Sequence, residues 1–442
     1  MTSTTATTIE AAASRVRRRL VPFLFLLYIF AYLDRINVGF AALQMNAALG
    51  LSSAAYGFGA GIFFFSYTAF EVPSNIILAR VGARRWIARI MITWGAVSAA
   101  MMFVRGPWSF SILRFLLGLA EAGFFPGIIY YLTRWVPARE RARTIAAFMT
   151  ATLTAGIIGG PLSGALLSLH GAAGLDGWQW LFLLEGVPAM LLGFAVLAFL
   201  TESPEDAAWL SPAEKAALVA RLREEATAGA GAPHSAAAAL VNRRVWLLSL
   251  VYFTVPVALY AFGFFLPQII QASYGGTSFE IGLLSAIPYI VGVVAMVLAA
   301  RHSDQTGERR WHVAIGAAVC GAGLMATAYV DGIVASMLTL SIAMAGLASM
   351  FGPFWTLATS FVQGAAAAAG IALINSVGNI GGFLGPYALG YLKDRTQTFA
   401  AGLLLIGAVV VAAGAAVLAL PEARSRKPEA RENPEAESSL EA

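Results

Sequence analysis

Six ionisable side chains, Asp34, Arg35, Glu71, Arg114, Glu121 and Glu185, fall inside stretches that are otherwise apolar enough to cross a membrane. A charge at the centre of a bilayer costs roughly 2.5–3.5 kcal/mol on insertion scales, so such residues face a bundle interior or a wet cavity. Their chemistry is complementary. Arginine stays charged and grips carboxylates at two points, whereas a buried carboxylate can take up and release a proton. All six lie in the first half of the chain, and the apolar segments of the second half carry no charge in their middles. This asymmetry points to a transport pathway in which one half handles charge and the other supplies neutral contacts.

Arg35 lies about fifteen residues into the first apolar segment, about 22 Å along a helix. It is placed either to anchor an anion in a cavity or to pair with a carboxylate on another helix. Asp34 cannot be its simple partner, because adjacent helical residues diverge. That leaves Asp34 free to titrate or to make a helix–helix hydrogen bond. Arg114 and Glu121 are two turns apart on one face, separated by about 10.5 Å of rise. They are expected to line one cavity at two depths, Glu121 as central proton acceptor and Arg114 as its outer modulator; the alternative is a permanent ion pair with another helix. Glu71 and Glu185 precede Pro73 and Pro188, and each is expected to satisfy backbone groups freed at a helix distortion.

In the second half, neutral polar groups interrupt the apolar runs. Asn375 and Asn379 are four apart and share a helix face. Trp355 and Tyr260 offer ring surface and a hydrogen bond each, with Tyr67 and Thr152 as first-half counterparts. For each aromatic, helix packing is an equal alternative to substrate contact. A buried amide such as Asn375 must find partners.

The elements that position these residues follow from composition. Hydrophobic residues make up 59% of the 442 and charged residues 12%, against about 25% charged in a soluble domain; mean hydropathy is +0.73. Runs of about 20 apolar residues recur along the chain. They predict an all-α membrane protein with helices over 20–43, 56–80, 86–104, 109–132, 144–169 and 178–201, then 244–270, 279–300, 311–329, 333–359, 364–391 and 396–419. The organisation is a terminus (1–19), a six-helix bundle (20–201), a polar central segment (202–243), a second six-helix bundle (244–420) and a charged tail (421–442). Within the central segment, Ser211, Pro212 and Glu214 predict a capped amphipathic helix, and the Ala/Gly-rich 226–239 predicts a flexible stretch.

Basic residues avoid one side. Only Arg105, Lys393 and Arg395 fall in the loops of that side, and Arg35 and Arg114 within helices. The positive-inside rule therefore puts both termini and the central segment in the cytoplasm. It also accounts for the net charge of +5 and the pI near 9.4 without nucleic acid. The basic start, Arg15 to Arg19, followed by an apolar run resembles a secretory signal. However, the run continues through Asp34 and Arg35 to Leu43 without a cleavage site, so it reads as an uncleaved first helix. Cys320 is the single cysteine, which excludes an intramolecular disulfide and a thiolate metal site. The histidines are scattered near helix ends and make no metal-ligand spacing. No cofactor is implied.

An internal repeat supports the division into halves. Arg80-Val-Gly82-Ala-Arg84-Arg85 follows the second helix, and Asp304-Gln-Thr-Gly307-Glu-Arg309-Arg310 follows the eighth. Gly156-x3-Gly160-Pro161-x2-Gly164 in the fifth helix matches Gly381-x3-Gly385-Pro386 in the eleventh, and such small residues let helices approach closely. With these repeats the chain resembles the major facilitator superfamily. The segments YLDRINVGFAAL (32–43), FEVPSNIILARVGARRWIARIM (70–91), RFLLGLAEAGFFPG (114–127), WLFLLEGVPA (180–189) and INSVGNIGGFLGP (374–386) resemble the anion:cation symporter family. The likeness is to its tartrate, phthalate and hydroxyphenylacetate permeases, over about residues 20–420.

The resemblance implies the major facilitator fold, a bacterial inner-membrane location, proton-coupled uptake of a small organic anion, and a single chain as the working unit. It implies that Asp34 helps carry the proton and that Tyr67, Trp355 and Asn375 contact the organic acid. It implies gating by the inner loops around Arg80, Gly82, Arg84, Asp304, Gly307 and Arg309. One departure is visible: Ala79 stands where the superfamily's loop usually has an acid. The competing readings are a proton-coupled efflux antiporter, suggested by the glycine pattern of helix 5, and a membrane-embedded enzyme or sensor. The latter has no nucleotide loop, metal cluster or triad to support it.

Overall fold

Glycine, proline and the capping residues set where these helices start, bend and stop. The computed structural model describes residues 3–229, 241–361 and 367–420. In the first half it forms α1 (Ser3–Ala48), α2 (Ser53–Val81), α3 (Ala83–Ala100), α4 (Pro107–Glu121), α5 (Phe124–Thr133), α6 (Ala138–Leu167) and α7 (Gly177–Phe199). After α8 (Pro212–Gly229) come α9 (Arg243–Tyr274), α10 (Ser278–Thr306), α11 (Arg310–Thr327), α12 (Ile333–Phe361), α13 (Ala367–Thr396) and α14 (Ala400–Val417). Counting α4 and α5 as one crossing, the described residues give six crossings before α8 and six after it. Ten of these are long and apolar enough to cross a membrane. The other two are α11, which opens on Arg310 and His312, and α13, which carries Asn375, Asn379 and a charged last turn.

Three expectations change. First, α1 begins at Ser3 rather than near residue 20. Its first turns are held against α8 by buried Ala12 and Val16 and by Arg15–Glu214 at 3.1 Å, and against α6 by a contact between Arg17 and Glu140. Second, the fourth crossing is broken. Gly123 takes φ +86°, a left-handed conformation that glycine adopts without strain, and Ser74 Oγ donates to the Ala122 carbonyl at 2.6 Å. The break leaves Glu121 as the last residue of α4. Third, α8 extends through 226–229 of the stretch expected to be flexible; 230–239 and the tail from 421 lie outside the described residues. The predicted cap of α8 is present: the Ser211 amide donates to Glu214 at 2.9 Å, and the Glu214 amide donates to Ser211 Oγ at 3.3 Å. These bonds, with Arg15 nearby, hold the Glu214 carboxyl below its ordinary range.

The halves meet along three helix pairs: α2 with α13, α6 with α10, and α1 with α9. Contact is closest at the ends remote from α8. A Cβ on Gly160 would lie 2.4 Å from the Gly282 carbonyl, and one on Gly57 would lie 2.4 Å from that of Pro386. Tyr56 Oη donates to the carbonyls of Val38 (3.1 Å) and Phe264 (2.9 Å), one from each half. Asp394 on α13 accepts from the first amides of α2, Ser53 at 2.9 Å and Ala54 at 2.7 Å. One end of the molecule is thereby sealed.

Candidate functional site

Below that seal a cavity lies between the halves. The first half contributes Tyr28, Tyr32 and Arg35 from α1, Tyr67 and Glu71 from α2, Phe125 from α5, and Met149 and Thr152 from α6. The second contributes Tyr252 and Tyr260 from α9, Tyr289 from α10, Met344 from α12, and Asn375 and Asn379 from α13, with apolar neighbours between them. Helical periodicity explains the α1 set: positions 28, 32 and 35 fall on one stripe.

Among the described residues, Arg35 is the only Lys or Arg lining this cavity. Its Nε donates to Glu121 Oε1 at 2.8 Å and its Nη2 to the same oxygen at 2.5 Å. The guanidinium lies over the Tyr67 ring, 5.0 Å from its centroid. Its side chain keeps 12% exposure while Glu121 has none. The arginine thus stands between a buried carboxylate and the open cavity. Glu121 Oε2 has no hydrogen-bond partner among the described residues.

Arg114 and Glu121 do not line the cavity at two depths as expected. Both are fully buried; Phe63, Phe264 and the α2 backbone close over Arg114. Arg114 donates to the Ala60 carbonyl at 3.0 Å, and its Nε and Nη1 have no hydrogen-bond partner among the described residues. Glu121 reaches the cavity only through Arg35.

Asp34 points away from Arg35, as adjacent helical positions require. It accepts from Ser98 Oγ at 2.7 Å, from Trp94 Nε1, and from Asn37 Nδ2 at 3.2 Å. Asn37 Nδ2 also donates to Glu185 at 2.9 Å, and Ser163 Oγ donates to Glu185 at 3.2 Å. Asp34 and Glu185 therefore share one buried network linking α1, α3, α6 and α7, and neither lines the cavity. Glu185 is satisfied by side chains, not by backbone freed at Pro188. The key residue, Asn37, was not singled out from the sequence; its place three residues after Asp34 on the same face was the available signal.

Trp355 is absent from the lining. It packs edge-on against Tyr252, 4.8 Å between centroids, and so supports a residue that does face the cavity. Tyr67, Thr152, Tyr260, Asn375 and Asn379 all line it. So do Tyr28, Tyr32, Tyr252 and Tyr289, which sequence reading passed over; their spacing on α1 and α9 was legible, their convergence was not.

At the inner loops, the acid missing at Ala79 is replaced from elsewhere. Glu202 accepts from the Ala83 amide at 2.8 Å and the Arg84 amide at 3.0 Å, capping α3 where Gly82 turns at φ +102°. Arg84 Nε donates to the Leu197 carbonyl at 3.0 Å, and Arg80 is exposed. In the second copy, Arg309 reaches Asp304 at 2.8 Å and Ser303 Oγ at 2.6 Å around Gly307. His302 and His312, scattered in sequence, meet here at 2.8 Å.

The comparisons agree with this architecture. The family model described as "Major Facilitator Superfamily" matches residues 24–386. The chain belongs to the major facilitator superfamily. It is a multi-pass membrane transporter and not an enzyme. It is 51% identical over 411 residues to a protein of Agrobacterium vitis named "Putative tartrate transporter", covering 93% of this chain and 91% of the relative. It is 43% identical to a "Quinolone resistance transporter" of Acinetobacter baumannii, covering 89% and 91%. Among solved structures, an inward-facing, occupied bacterial homologue of the human lysosomal transporter Spinster matches with a TM-score of 0.75. It has 17% identity and covers 91% of this chain and 96% of that one; at that identity the likeness speaks for the fold alone.

Proposed function

We propose that this major facilitator chain takes up a small organic anion together with protons, by alternating access of its two halves about the central cavity. The substrate class is a hydroxy-diacid such as tartrate, a related sugar acid, or an aromatic carboxylate. The observation that carries this reading is the position of Arg35, held by Glu121 on one side and open to the cavity on the other. A substrate carboxylate can take the place of Glu121 on the guanidinium, and the released Glu121 then holds a proton. Empty, the arginine is neutralised by its own acid; loaded, by the substrate. Asn375, Asn379 and the ring of tyrosines supply hydrogen bonds to hydroxyl groups and ring faces to an aromatic acid. Asp34, caged beside α3, is the second proton site.

With both termini and α8 in the cytoplasm, the sealed end is the outer one and the cavity belongs to an inward-facing state. The chain works as a monomer in the bacterial inner membrane, and the loops around Gly82 and Gly307 close the inner end in the opposite state. In proteoliposomes, L-tartrate uptake should acidify the lumen, and Glu121→Gln should deliver one proton fewer with each anion. Uptake without acidification, together with normal coupled transport by the variant, would overturn the scheme. Efflux of amphipathic compounds, which the quinolone-resistance relative raises, is the second and less favoured reading. Arg35→Ala separates them, since it should abolish anion uptake under the first reading and alter drug resistance under the second.

A further inference from the structure

Resting on the anion-uptake reading, the charges of the cavity do not balance for an anion. Among the described residues, Arg35 is the only Lys or Arg on the lining, and Glu121 already neutralises it. Among the described residues, Glu71 is the only Asp or Glu on the lining, and no hydrogen bond or ion pair to its carboxylate is found. Its backbone carbonyl, by contrast, is engaged: Asn75 Nδ2 donates to it at 2.7 Å. The carboxylate is therefore not spent on repairing the helix at Pro73. An anion arriving at Arg35 meets the carboxylate of Glu71 on the same lining, and two negative charges in one low-dielectric space are strongly opposed.

We propose that Glu71 is the charge-compensating carboxylate of the cavity, which takes up a proton as the anion binds and gives it back as the anion leaves. Its surroundings allow this. From α1 it is faced by Arg35, Tyr28 and Tyr32, and from its own helix by Tyr67. From α4 the charged groups are Glu121, behind Arg35, and Arg114, which is tied to Ala60 eleven residues earlier on α2, about 16 Å along the helix. From α13 it is faced by the neutral amides of Asn375 and Asn379; Lys393 and Asp394 lie at the far end of that helix, where Asp394 caps α2. On α3, Trp86 donates to Ser74, and Arg89 lies against the Trp86 ring 3.9 Å from its centroid. Across the cavity stand Tyr252, Tyr260 and Tyr289. None of these pairs with Glu71, so a proton is its available source of neutralisation. On this account Glu71 and Glu121 act at different moments: Glu121 is freed when the anion displaces it, whereas Glu71 must be neutral for the anion to remain.

The test is the pH dependence of L-tartrate affinity for the purified full-length chain, read by calorimetry in buffers of different ionisation enthalpy. In wild type, affinity should fall as pH rises, with protons taken up on binding. Glu71→Gln should bind L-tartrate at low pH and lose one proton from the uptake, flattening the pH dependence by about tenfold per pH unit. An unchanged slope in this variant overturns the proposal. Glu121→Gln, which leaves Glu71 in place, guards against a misfolded first variant: it should still take up a proton on binding, and a pH-independent affinity overturns the proposal. Absence of L-tartrate binding to wild type at every pH would overturn the tartrate reading and this inference with it. Binding to wild type with the unaltered slope in Glu71→Gln would strike the inference alone.

Discussion

The two six-helix halves share a plan and furnish the cavity with opposite chemistry. The first brings Arg35 and Glu71 to the lining and keeps Glu121, Arg114, Asp34 and Glu185 buried behind it. The second brings tyrosines and two asparagines, with no charged residue among the described ones on the lining. The difference teaches where energy can be stored. A buried ion pair changes its free energy steeply when a partner is exchanged or protonated, whereas neutral hydrogen bonds change it gently. On the proposed scheme the first half carries the coupling and the second selects among substrates.

The same contrast appears in packing. Gly160 and Gly385 occupy matching places before a proline, yet Gly160 faces Gly282 across the interface while Gly385 faces Val257 of its own half. The repeat in sequence is not a repeat of neighbours.

The largest effect expected from breaking the division of labour is at Arg35. Arg35→Ala should lower anion uptake by at least about 100-fold and destabilise the fold by about 3–5 kcal/mol, because Glu121 is left buried without its partner. Uptake assays and melting of the purified variant read both. At the interface, Gly160→Val should force α6 from α10, at a cost of about 1–3 kcal/mol to the sealed state. A cysteine placed at Ser53 should then label faster; the native Cys320 is buried and gives little background. In the neutral half, Asn375→Ala should weaken substrate affinity by about tenfold, the worth of one hydrogen bond, with proton coupling intact. If it uncouples transport instead, the division of labour fails.

Smaller effects sharpen the comparison at the inner loops. Glu202→Ala should cost about 1 kcal/mol by uncapping α3, measured as a loss in melting temperature. Smallest is the α8 cap. The Glu214 carboxyl is held below its ordinary range by its bonds with Ser211. Its contribution, at most about 1 kcal/mol, is therefore complete above the usual glutamate pKa and lost as pH falls through the lowered one. Glu214→Gln should show a shallower acid loss of stability.

The helices themselves were legible, because apolar runs of membrane length and a basic bias between them are properties of the chain. So were Arg35, Tyr67, Thr152, Tyr260, Asn375 and Asn379 as cavity residues, since polar groups in apolar runs must converge on something. Arg114 read the same way and is buried instead, because ring contacts from α2 and α9 decide its exposure.

By itself the sequence determined the number of crossings, the two halves, the concentration of charge in the first, and the cap of α8, all of which depend on residues close together along the chain. Only the tertiary structure decided that Arg35 meets Glu121, that Asn37 bridges Asp34 to Glu185, that Glu202 replaces the acid missing at Ala79, and that Glu71 faces the cavity unpaired. Each depends on which helices become neighbours and how each is rotated. A rotation of one residue, about 100°, is enough to move a side chain from cavity to core.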